Sequence, residues 1–248
     1  MLLDIRDHVL AITWNAPDRL NSLTAEMLQA AAVAIETIDD DIRCIVITGV
    51  GRAFGAGAAL GDDVADPAGA LAGINQTVRA ITSSRVPVIA GMNGLAAGAS
   101  ASIALAADLT LARRSAYFLL AFVNIGLMPD GGANELVAAS IGRARAMQMA
   151  MLGDRLPAAD AVSAGLIHAV VEDDDFDAEL LALSQRVARG PTLALGLMKA
   201  AINATTLRTL EQTLDRETEG QGALFETFDA VEGGRAFTEK RAAKFEGR

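Results

Sequence analysis

An aspartate lies in a long and mostly apolar stretch of the sequence. Asp130 lies between Pro129 and two glycines in FVNIGLMPDGGANELV, residues 122–137. An aspartate at such a place forms a turn, or it caps the helix that follows, which starts near Gly132. A carboxylate among apolar side chains also has a raised pKa and can act as a general acid or base near neutral pH. The two roles do not exclude each other, and both are kept as interpretations.

Two glycine-rich turns are candidates for binding an oxygen that carries negative charge. The first glycine turn, TGVGRAFGAGAAL (48–60), follows a predicted strand and exposes the N–H groups of Gly57 and Ala58. The second glycine turn, MNGLAAGASAS (92–102), places the N–H groups of Gly98, Ala99 and Ser100 at the start of a helix, where negative charge is favoured. Two such turns after neighbouring strands can direct their N–H groups at one oxygen. That arrangement is an oxyanion hole.

Other chemistries lack the residues they need. The first glycine turn is not a dinucleotide fingerprint, because Phe54 stands where a third glycine belongs and no acidic residue ends a second strand at the expected distance. No Gly-Lys-Ser/Thr follows it, so a Walker-type phosphate loop is excluded as well. The two histidines, His8 and His168, lie at strand edges far from the turns. This position argues against a Ser-His triad and against a metal site, and no metal is expected.

The elements that must position these residues follow an α/β pattern. The predicted strands are HVLAITW, CIVITG, VPVIAGM, DLTLARR and IHAVV. LTAEMLQAAAVAIETIDDD, between the first two, is helical by its periodicity and has Thr24 as its N-cap. Residues 94–108 are predicted to form one helix almost free of large side chains. Such a helix must be buried where backbones approach closely.

Helices dominate the second half of the chain. GGANELVAASIG, ARAMQMAMLG and PAADAVSAG are short helices that end at glycines. Gly190-Pro191 marks a boundary, and two longer amphipathic helices follow it with no strand between them. We therefore expect an α/β core over residues 1–190 and a helical oligomerisation region over residues 191–248.

Composition restricts the partners and the compartment. The chain has 248 residues, 52% hydrophobic and only 4% aromatic, with a net charge of −10. This acidity argues against nucleic acid and anionic membranes as partners, so an anionic ligand must be held by a few local cations and backbone N–H groups. Cys44 is the single cysteine and lies in a predicted buried strand, which suits a reducing compartment. We expect a soluble cytoplasmic protein.

Five motifs, in this order, resemble those of the enoyl-CoA hydratase/isomerase, or crotonase, superfamily. They span nearly the whole chain: NAPDRLNSLT (15–24), IVITGVGRAFGAGAAL (45–60), MNGLAAGASASIALAADLTLA (92–112), FVNIGLMPDGG (122–132) and GRAFTEKRAAKFEG (234–247). The resemblance implies a spiral of ββα units with a C-terminal helical trimerisation region, assembled as a homotrimer or homohexamer. It also implies an acyl-CoA thioester as substrate, with no cofactor other than the coenzyme A that the substrate carries.

The resemblance also implies roles for single residues. The thioester carbonyl accepts hydrogen bonds from the backbone N–H groups of Ala58 and Ala99. Arg19 and Leu20 fall near the phosphates and pantetheine of coenzyme A, and Ala56 falls near the adenine. The full set of implied substrate-binding residues is Arg19, Leu20, Ala56, Ala58, Leu60, Gly98, Ala99, Phe122, Leu127, Phe237 and Lys240. Of these, Phe237 and Lys240 match C-terminal residues that often reach coenzyme A from a neighbouring subunit.

The sequence departs from the hydratases of this superfamily at their acids. Those enzymes use two glutamates that hold one water, and the corresponding positions here are Ser102 and Phe122. Hydration by that pair is not available, because neither residue is a carboxylate. Asp130 instead matches the acid of a branch that includes ring-opening and double-bond isomerases of phenylacetyl-CoA breakdown and 4-chlorobenzoyl-CoA dehalogenases. The chain is closest in motif to the 1,2-epoxyphenylacetyl-CoA isomerase-like branch.

These features predict an acyl-CoA isomerase that shifts a double bond, or opens a ring, next to a thioester. The oxyanion hole stabilises the enolate, and Asp130 takes up and returns the proton. An apolar wall of Phe122, Leu127 and Met128 would raise the pKa of Asp130 and make it a better base. Phe118 is also expected near this pocket. The alternatives are a non-catalytic acyl-CoA binding protein and an atypical enoyl-CoA hydratase.

Overall fold

The computed structural model describes residues 1–59 and 67–248. The strands found in this part of the chain are β1 Leu2–Arg6, β2 Val9–Trp14, β3 Cys44–Gly49, β4 Ala53–Gly55, β5 Val88–Met92, β6 Leu95–Ala97, β7 Leu109–Arg113, β8 Tyr117–Leu119, β9 Arg155–Pro157 and β10 Ala169–Val171. The α-helices are α1 Ala25–Glu36, α2 Pro67–Ser83, α3 Ala99–Ala106, α4 Ala133–Leu152, α5 Ala158–Ala164, α6 Phe176–Ala188, α7 Thr192–Thr206, α8 Leu210–Phe225 and α9 Phe228–Thr238. Pro17–Arg19 and Ala121–Ile125 are short 3₁₀ helices.

The strands form two sheets. The larger sheet has the order β1-β2-β3-β5-β7-β10 and is parallel except for β1, which pairs antiparallel with β2. The smaller sheet has the order β4-β6-β8-β9 and is parallel except for β9. The successive pairs β3–β4, β5–β6 and β7–β8 each contribute one strand to each sheet, and a helix follows each pair. This repeat confirms the predicted α/β spiral of ββα units.

The buried core lies where these repeats pack on each other. Its largest fully buried side chains include Trp14, Phe54 and Phe118, and many Ile and Leu side chains surround them. Seven of the eight residues of α3 are buried, as expected for a helix made of small residues. Thr24 caps α1 as predicted, since its hydroxyl accepts from the N–H of Met27 at 3.3 Å.

The helix predicted over residues 94–108 differs from the structure, and one edge strand was not predicted. Residues 94–108 are not one helix, because Leu95–Ala97 form β6 and α3 begins only after Gly98. A three-residue strand is too short to produce a recognisable apolar alternation. By contrast, the two short helices predicted on either side of Gly142 are confirmed, because α4 is interrupted at that glycine, whose φ of 80° and ψ of 164° are not helical. The exposed edge strand β1 is not among the predicted strands, since it buries no face that would produce the pattern.

The chain after Pro191 is helical, as the sequence indicates. Lys199 joins α7 to the core, because its buried ammonium group forms an ion pair with Asp108 at 2.9 Å and donates to the carbonyl of Ile81. α8 also contacts α2 and α4 of the same chain. The boundary at residue 190 stays a prediction. None of the helices in the described ranges is long and apolar enough to cross a membrane.

Candidate active site

A cavity of about 310 Å³ lies where the two glycine turns, α2 and α8 meet. Its lining side chains are mostly small or apolar: Ala56, Gly57, Ala58, Ala59, Ala70, Leu71, Ile74, Gly98, Ala99, Ala121, Phe122, Ile125, Leu127, Asp130, Gln221 and Phe225. Asp130 and Gln221 are the polar side chains among them. A cavity of about 430 Å³ beside α7 is larger, but its ionisable groups Asp108 and Lys199 are paired with each other. The smaller cavity is therefore the candidate site.

Two buried amide side chains hold the first glycine turn in place. Asn21 donates to the carbonyls of Val50 and Ala53 at 2.9 and 2.7 Å. Asn93, at the end of β5, donates to the carbonyls of Gly51 and Ala53 at 2.8 and 3.0 Å. A buried amide that donates to several backbone carbonyls fixes the loop that carries them. This contact explains why NAPDRLN and MNG accompany the glycine turns in the sequence.

The two glycine turns touch each other at glycines. Gly57 has a φ of +93° and Gly98 a φ of +50°, conformations that side chains other than glycine rarely adopt. A Cβ atom added to Gly98 would lie 3.6 Å from the Cα of Gly57, and one added to Gly57 would lie 3.1 Å from the carbonyl oxygen of Ala97. The hydroxyl of Ser100 accepts from the N–H of Gly57 at 3.1 Å and fastens the turns together. The residues after both glycines, Ala58 and Ala99, thus come to one cavity.

The N–H groups of Ala58 and Ala99 remain available as donors. The neighbouring N–H groups are already bonded: Gly57 to Ser100 Oγ, Ala59 to the carbonyl of Leu23, and Gly98 to the carbonyl of Leu119. Ala99 is the first residue of α3, so its N–H has no acceptor within the helix. No bond from Ala58 N or Ala99 N to another described residue is found. Two free donors at one apolar cavity suit an oxygen that gains negative charge.

Asp130 is buried, with 6% of its surface exposed, and only one of its two carboxyl oxygens is paired. Oδ2 accepts from Nε2 of Gln221 at 2.9 Å, whereas Oδ1 has no hydrogen-bond partner among the described residues. Buried polar atoms are usually satisfied in native proteins, but Trp14 Nε1 and Arg113 Nε, which do not line the cavity, also have no partner among the described residues. The functional argument therefore rests on the unpaired oxygen together with the place of Asp130 in the cavity lining.

The interpretation of Asp130 as a helix cap is wrong. α4 begins at Ala133 with Gly132 as its N-cap, and the Asp130 side chain accepts no N–H from it. Glu217 of α8 caps the helix instead: Oε2 accepts from the N–H of Gly132 at 2.6 Å, and Oε1 from the N–H of Asn134 at 3.2 Å. Glu217, from a distant part of the chain, therefore accepts the hydrogen bonds of the N–H groups at the start of α4, and the Asp130 carboxyl does not take part in capping.

The backbone of Asp130 is fixed by α3. The hydroxyl of Ser102 donates to the Asp130 carbonyl at 2.7 Å. Gly131 has a φ of +62°, and a Cβ atom added to it would lie 2.9 Å from Cβ of Ser102. Only glycine allows the chain to pass so close to α3. Ser102 therefore holds the segment that carries the acid.

Burial raises the pKa of Asp130 to about 7. The hydrogen bond from Gln221 opposes this rise, and the charge of Glu217 adds to it. Phe122 and Leu127 line the cavity as expected, but Met128 does not, because it packs against Gly220 of α8. Phe118 lies in the core and does not line the cavity either. A carboxyl with a pKa near 7 suits proton transfer at neutral pH.

A family model described as enoyl-CoA hydratase/isomerase matches residues 4–248 of the chain. The protein belongs to the enoyl-CoA hydratase/isomerase family. The chain is 39% identical to a 1,2-epoxyphenylacetyl-CoA isomerase of Escherichia coli K12, covering 100% of this chain and 98% of the relative. It is 40% identical to a probable enoyl-CoA hydratase of Rhodobacter capsulatus, covering 99% and 97%. The crystal structure of an enoyl-CoA hydratase from Mycobacterium avium subsp. paratuberculosis superimposes with a TM-score of 0.93 at 45% identity, covering 98% and 97%.

The family positions fall into two groups in the structure. Seven of them line the cavity: Ala56, Ala58, Gly98, Ala99, Phe122, Leu127 and Asp130. Arg19 and Leu20, in the turn after β2, do not line it, and neither do Phe237 and Lys240 at the end of α9. Leu60 lies outside the described residues. The proposed role of the second group in binding coenzyme A stays a prediction.

Two residues of this enoyl-CoA hydratase/isomerase site are absent from the sequence-based prediction. Gln221 holds Asp130, and Glu217 caps α4. Both belong to the buried stripe of α8, whose other members are Leu210 and Leu214. Polar residues at i+7 and i+11 of an otherwise apolar helical stripe are the signal that could have drawn attention to them.

The raised pKa of Asp130 predicts a stability cost at high pH. Its native pKa of about 7 exceeds the ordinary value of 3.8, so the native state retains a proton that the unfolded state has lost. The free energy of unfolding should therefore fall by about 3 kcal/mol between pH 4 and pH 7, relative to an Asp130→Asn variant that has no such group. Urea unfolding of both proteins across this range measures the difference. Parallel pH dependences of the two proteins would contradict it.

Proposed function

We propose that the protein is an acyl-CoA isomerase that moves a double bond, or opens a ring, beside a thioester carbonyl. The observation that carries this proposal is buried Asp130, whose Oδ1 is unpaired among the described residues and which lines one cavity together with Ala58 and Ala99, whose N–H groups bond to no described residue. An acid–base group and a pair of oxyanion donors are what an enolate mechanism needs. The family membership supports an acyl-CoA thioester as the ligand.

In the proposed reaction the thioester oxygen accepts hydrogen bonds from Ala58 N and Ala99 N. These bonds strengthen as the oxygen gains charge, so they lower the barrier to removal of a proton from the carbon beside the carbonyl. Asp130 takes that proton, and the electrons of the C–H bond form an extended enolate with the double bond of the substrate. Asp130 then returns the proton at the far end of that system. No water is consumed, and one carboxyl group is sufficient.

Hydration is the rival reaction, and it would normally require two acids. Asp130 is the one carboxylate that lines the cavity within the described residues. Ser102 and Phe122 occupy the positions that correspond to the two hydratase glutamates. Ser102 donates to the Asp130 carbonyl, and Phe122 is apolar. Because the Rhodobacter relative is named a probable enoyl-CoA hydratase, the activity assay below also measures hydration.

A binding protein without catalysis is the second rival. Such a protein would gain nothing from a buried carboxyl with one unpaired oxygen, because burial of an unsatisfied polar atom destabilises the fold. The buried Asp130 carboxyl is therefore easier to explain as a group that reacts with the substrate than as the remnant of a lost active site.

An assay with two enoyl-CoA substrates distinguishes the isomerase, the hydratase and the binding protein. Incubation with a 3-enoyl-CoA should produce the conjugated 2-enoyl-CoA, because Asp130 transfers the proton within the site. The absorbance of the conjugated thioester and mass spectrometry of the product measure the conversion. A 3-hydroxyacyl-CoA formed from 2-enoyl-CoA would indicate a hydratase, and saturable binding without conversion of either compound would indicate a binding protein.

We also propose assembly as a homotrimer or homohexamer. α7 exposes a row of apolar side chains, including Leu193 and Leu197, which are 85% and 73% exposed. A lone helix seldom presents such a row to water, and contact with another copy of the chain would cover it.

A further inference from the structure

We infer that Gln221 is a positioning residue, whose amide holds Oδ2 of Asp130 so that Oδ1 is the oxygen that exchanges protons with the substrate. The inference rests on the proposed function and extends it to a side chain that no motif of the sequence indicates. Gln221 is 1% exposed and donates from Nε2 to Asp130 Oδ2 at 2.9 Å. The two oxygens of a carboxylate are equivalent until one of them is bonded. This single contact makes them different.

α8 delivers Gln221 to the acid in a fixed register. One turn earlier, Glu217 accepts from the N–H groups of Gly132 and Asn134 and from the side chain of Asn134, at 2.6 to 3.2 Å. These bonds attach α8 to the chain segment directly after Asp130. Since Gln221 follows Glu217 on the same buried stripe, its amide has little freedom to move away from the carboxyl.

An amide is the donor type that suits a base at this position. A lysine or arginine would hold the carboxylate in its charged form and make it a weak base, and a second carboxyl would share its proton. Gln221 supplies one hydrogen bond and no charge. Its own Oε1 is buried and has no partner among the described residues, so the amide is not committed to another structural contact through that atom.

The electrostatic surroundings of Asp130 are simple enough to test this role. The lining contributed by α2, by the start of α3 and by Ala121–Ile125 is apolar or backbone, without an ionisable side chain. Burial raises the pKa of Asp130 most; the hydrogen bond from Gln221 opposes that rise, and among the described residues the charge of Glu217 adds to it. Changes at Gln221 and Glu217 should therefore move the pKa of Asp130 in opposite directions.

The test uses Gln221→Met, which keeps the length of the side chain and removes the donor. Loss of one hydrogen bond to a charged group should shift the acid limb of the pH profile of kcat/KM upward by about one to two pH units. kcat at the pH optimum should also fall about 10- to 100-fold, because the carboxyl is no longer oriented, while KM changes little. Isomerisation of 3-enoyl-CoA across pH 5 to 9 gives all three quantities.

Two variants on the same helix serve as controls. Thr218→Val removes the hydroxyl that accepts from Asn75 at 3.0 Å, and Thr218 does not line the cavity, so the pH profile of this variant should match the wild type. Glu217→Gln removes the charge that raises the pKa of Asp130, so its acid limb should move downward. If Gln221 only stabilised α8, Gln221→Met would resemble Thr218→Val in its pH profile, and that outcome overturns the inference. Should Gln221→Met fail to fold, Gln221→Asn, whose amide is too short to reach, replaces it.

A second readout separates this inference from the proposed function. Infrared or carbon-13 NMR titration of the Asp130 carboxyl in the substrate-free protein, assigned with Asp130→Asn, reports the pKa without turnover. An upward shift in Gln221→Met supports the inference, and an unchanged titration overturns it. The isomerase proposal is judged on the wild type alone: absence of conversion rejects that function, while the titration still decides whether the amide controls the carboxyl.

Discussion

Asp130→Asn is expected to reduce isomerisation by at least about 100-fold, the usual effect of losing a general base. Asparagine has nearly the same shape as aspartate, but its amide cannot take a proton at neutral pH. Exchange of solvent deuterium into the carbon beside the thioester should fall by the same factor, since it uses the same proton transfer. Both rates can be followed on one enoyl-CoA sample by absorbance and mass spectrometry.

The substitution should leave folding and ligand binding intact. The Asp130 carboxyl caps no helix, and an asparagine Oδ1 can still accept from Gln221, so no structural contact is lost. Affinity for a saturated acyl-CoA, which binds without reacting, should therefore match that of the wild type in calorimetry. Unchanged catalysis in a folded Asn variant would reject Asp130 as the proton carrier and with it the isomerase proposal.

Local patterns in the sequence were sufficient for the backbone part of the site. Gly57 and Gly98 precede the two available donors; both glycines are required by a positive φ, and Gly57 also by close contact with the other turn. The backbone conformation at these glycines depends on a few neighbouring residues, so the pattern of a strand followed by a glycine turn is sufficient to predict it. The strands of the larger sheet are readable for the same reason. The second strand of each ββα unit has only three residues and no such pattern, so the repeat itself was expected only from the family resemblance.

The surroundings of Asp130 could not be predicted in this way. Gln221 and Glu217 contact residues 91 and 85 positions away in the chain, and no local rule connects them. The same distance explains the wrong prediction of a cap: the nearest aspartate is favoured by sequence, yet a remote glutamate satisfies the N–H of Gly132. Tertiary contacts decide which acid is structural and which is free.

The oxyanion donors give the second large expected effect. Ala99→Pro removes one N–H at the first position of α3, where proline is well tolerated and where that N–H bonds to no described residue. Ala58→Pro removes the other donor. Each should lower kcat by about 100- to 1,000-fold, or about 3 to 4 kcal/mol in the transition state, because the donor acts most strongly on the developing negative charge.

A proline at either position also adds volume to the cavity, because both alanines line it. The effect of this added volume must be separated from the effect of the lost hydrogen bond. Ala99→Val and Ala58→Val add the same number of carbon atoms as proline but keep the N–H group. If the donors stabilise the enolate, each Pro variant should be far slower than its Val partner, while the two bind a saturated acyl-CoA about equally. The difference should lie in kcat rather than KM, since the interaction grows only as charge develops on the oxygen. Pro and Val variants with equal kcat would mean that no oxyanion is bound there, and the carbonyl of the thioester would have to lie elsewhere in the cavity.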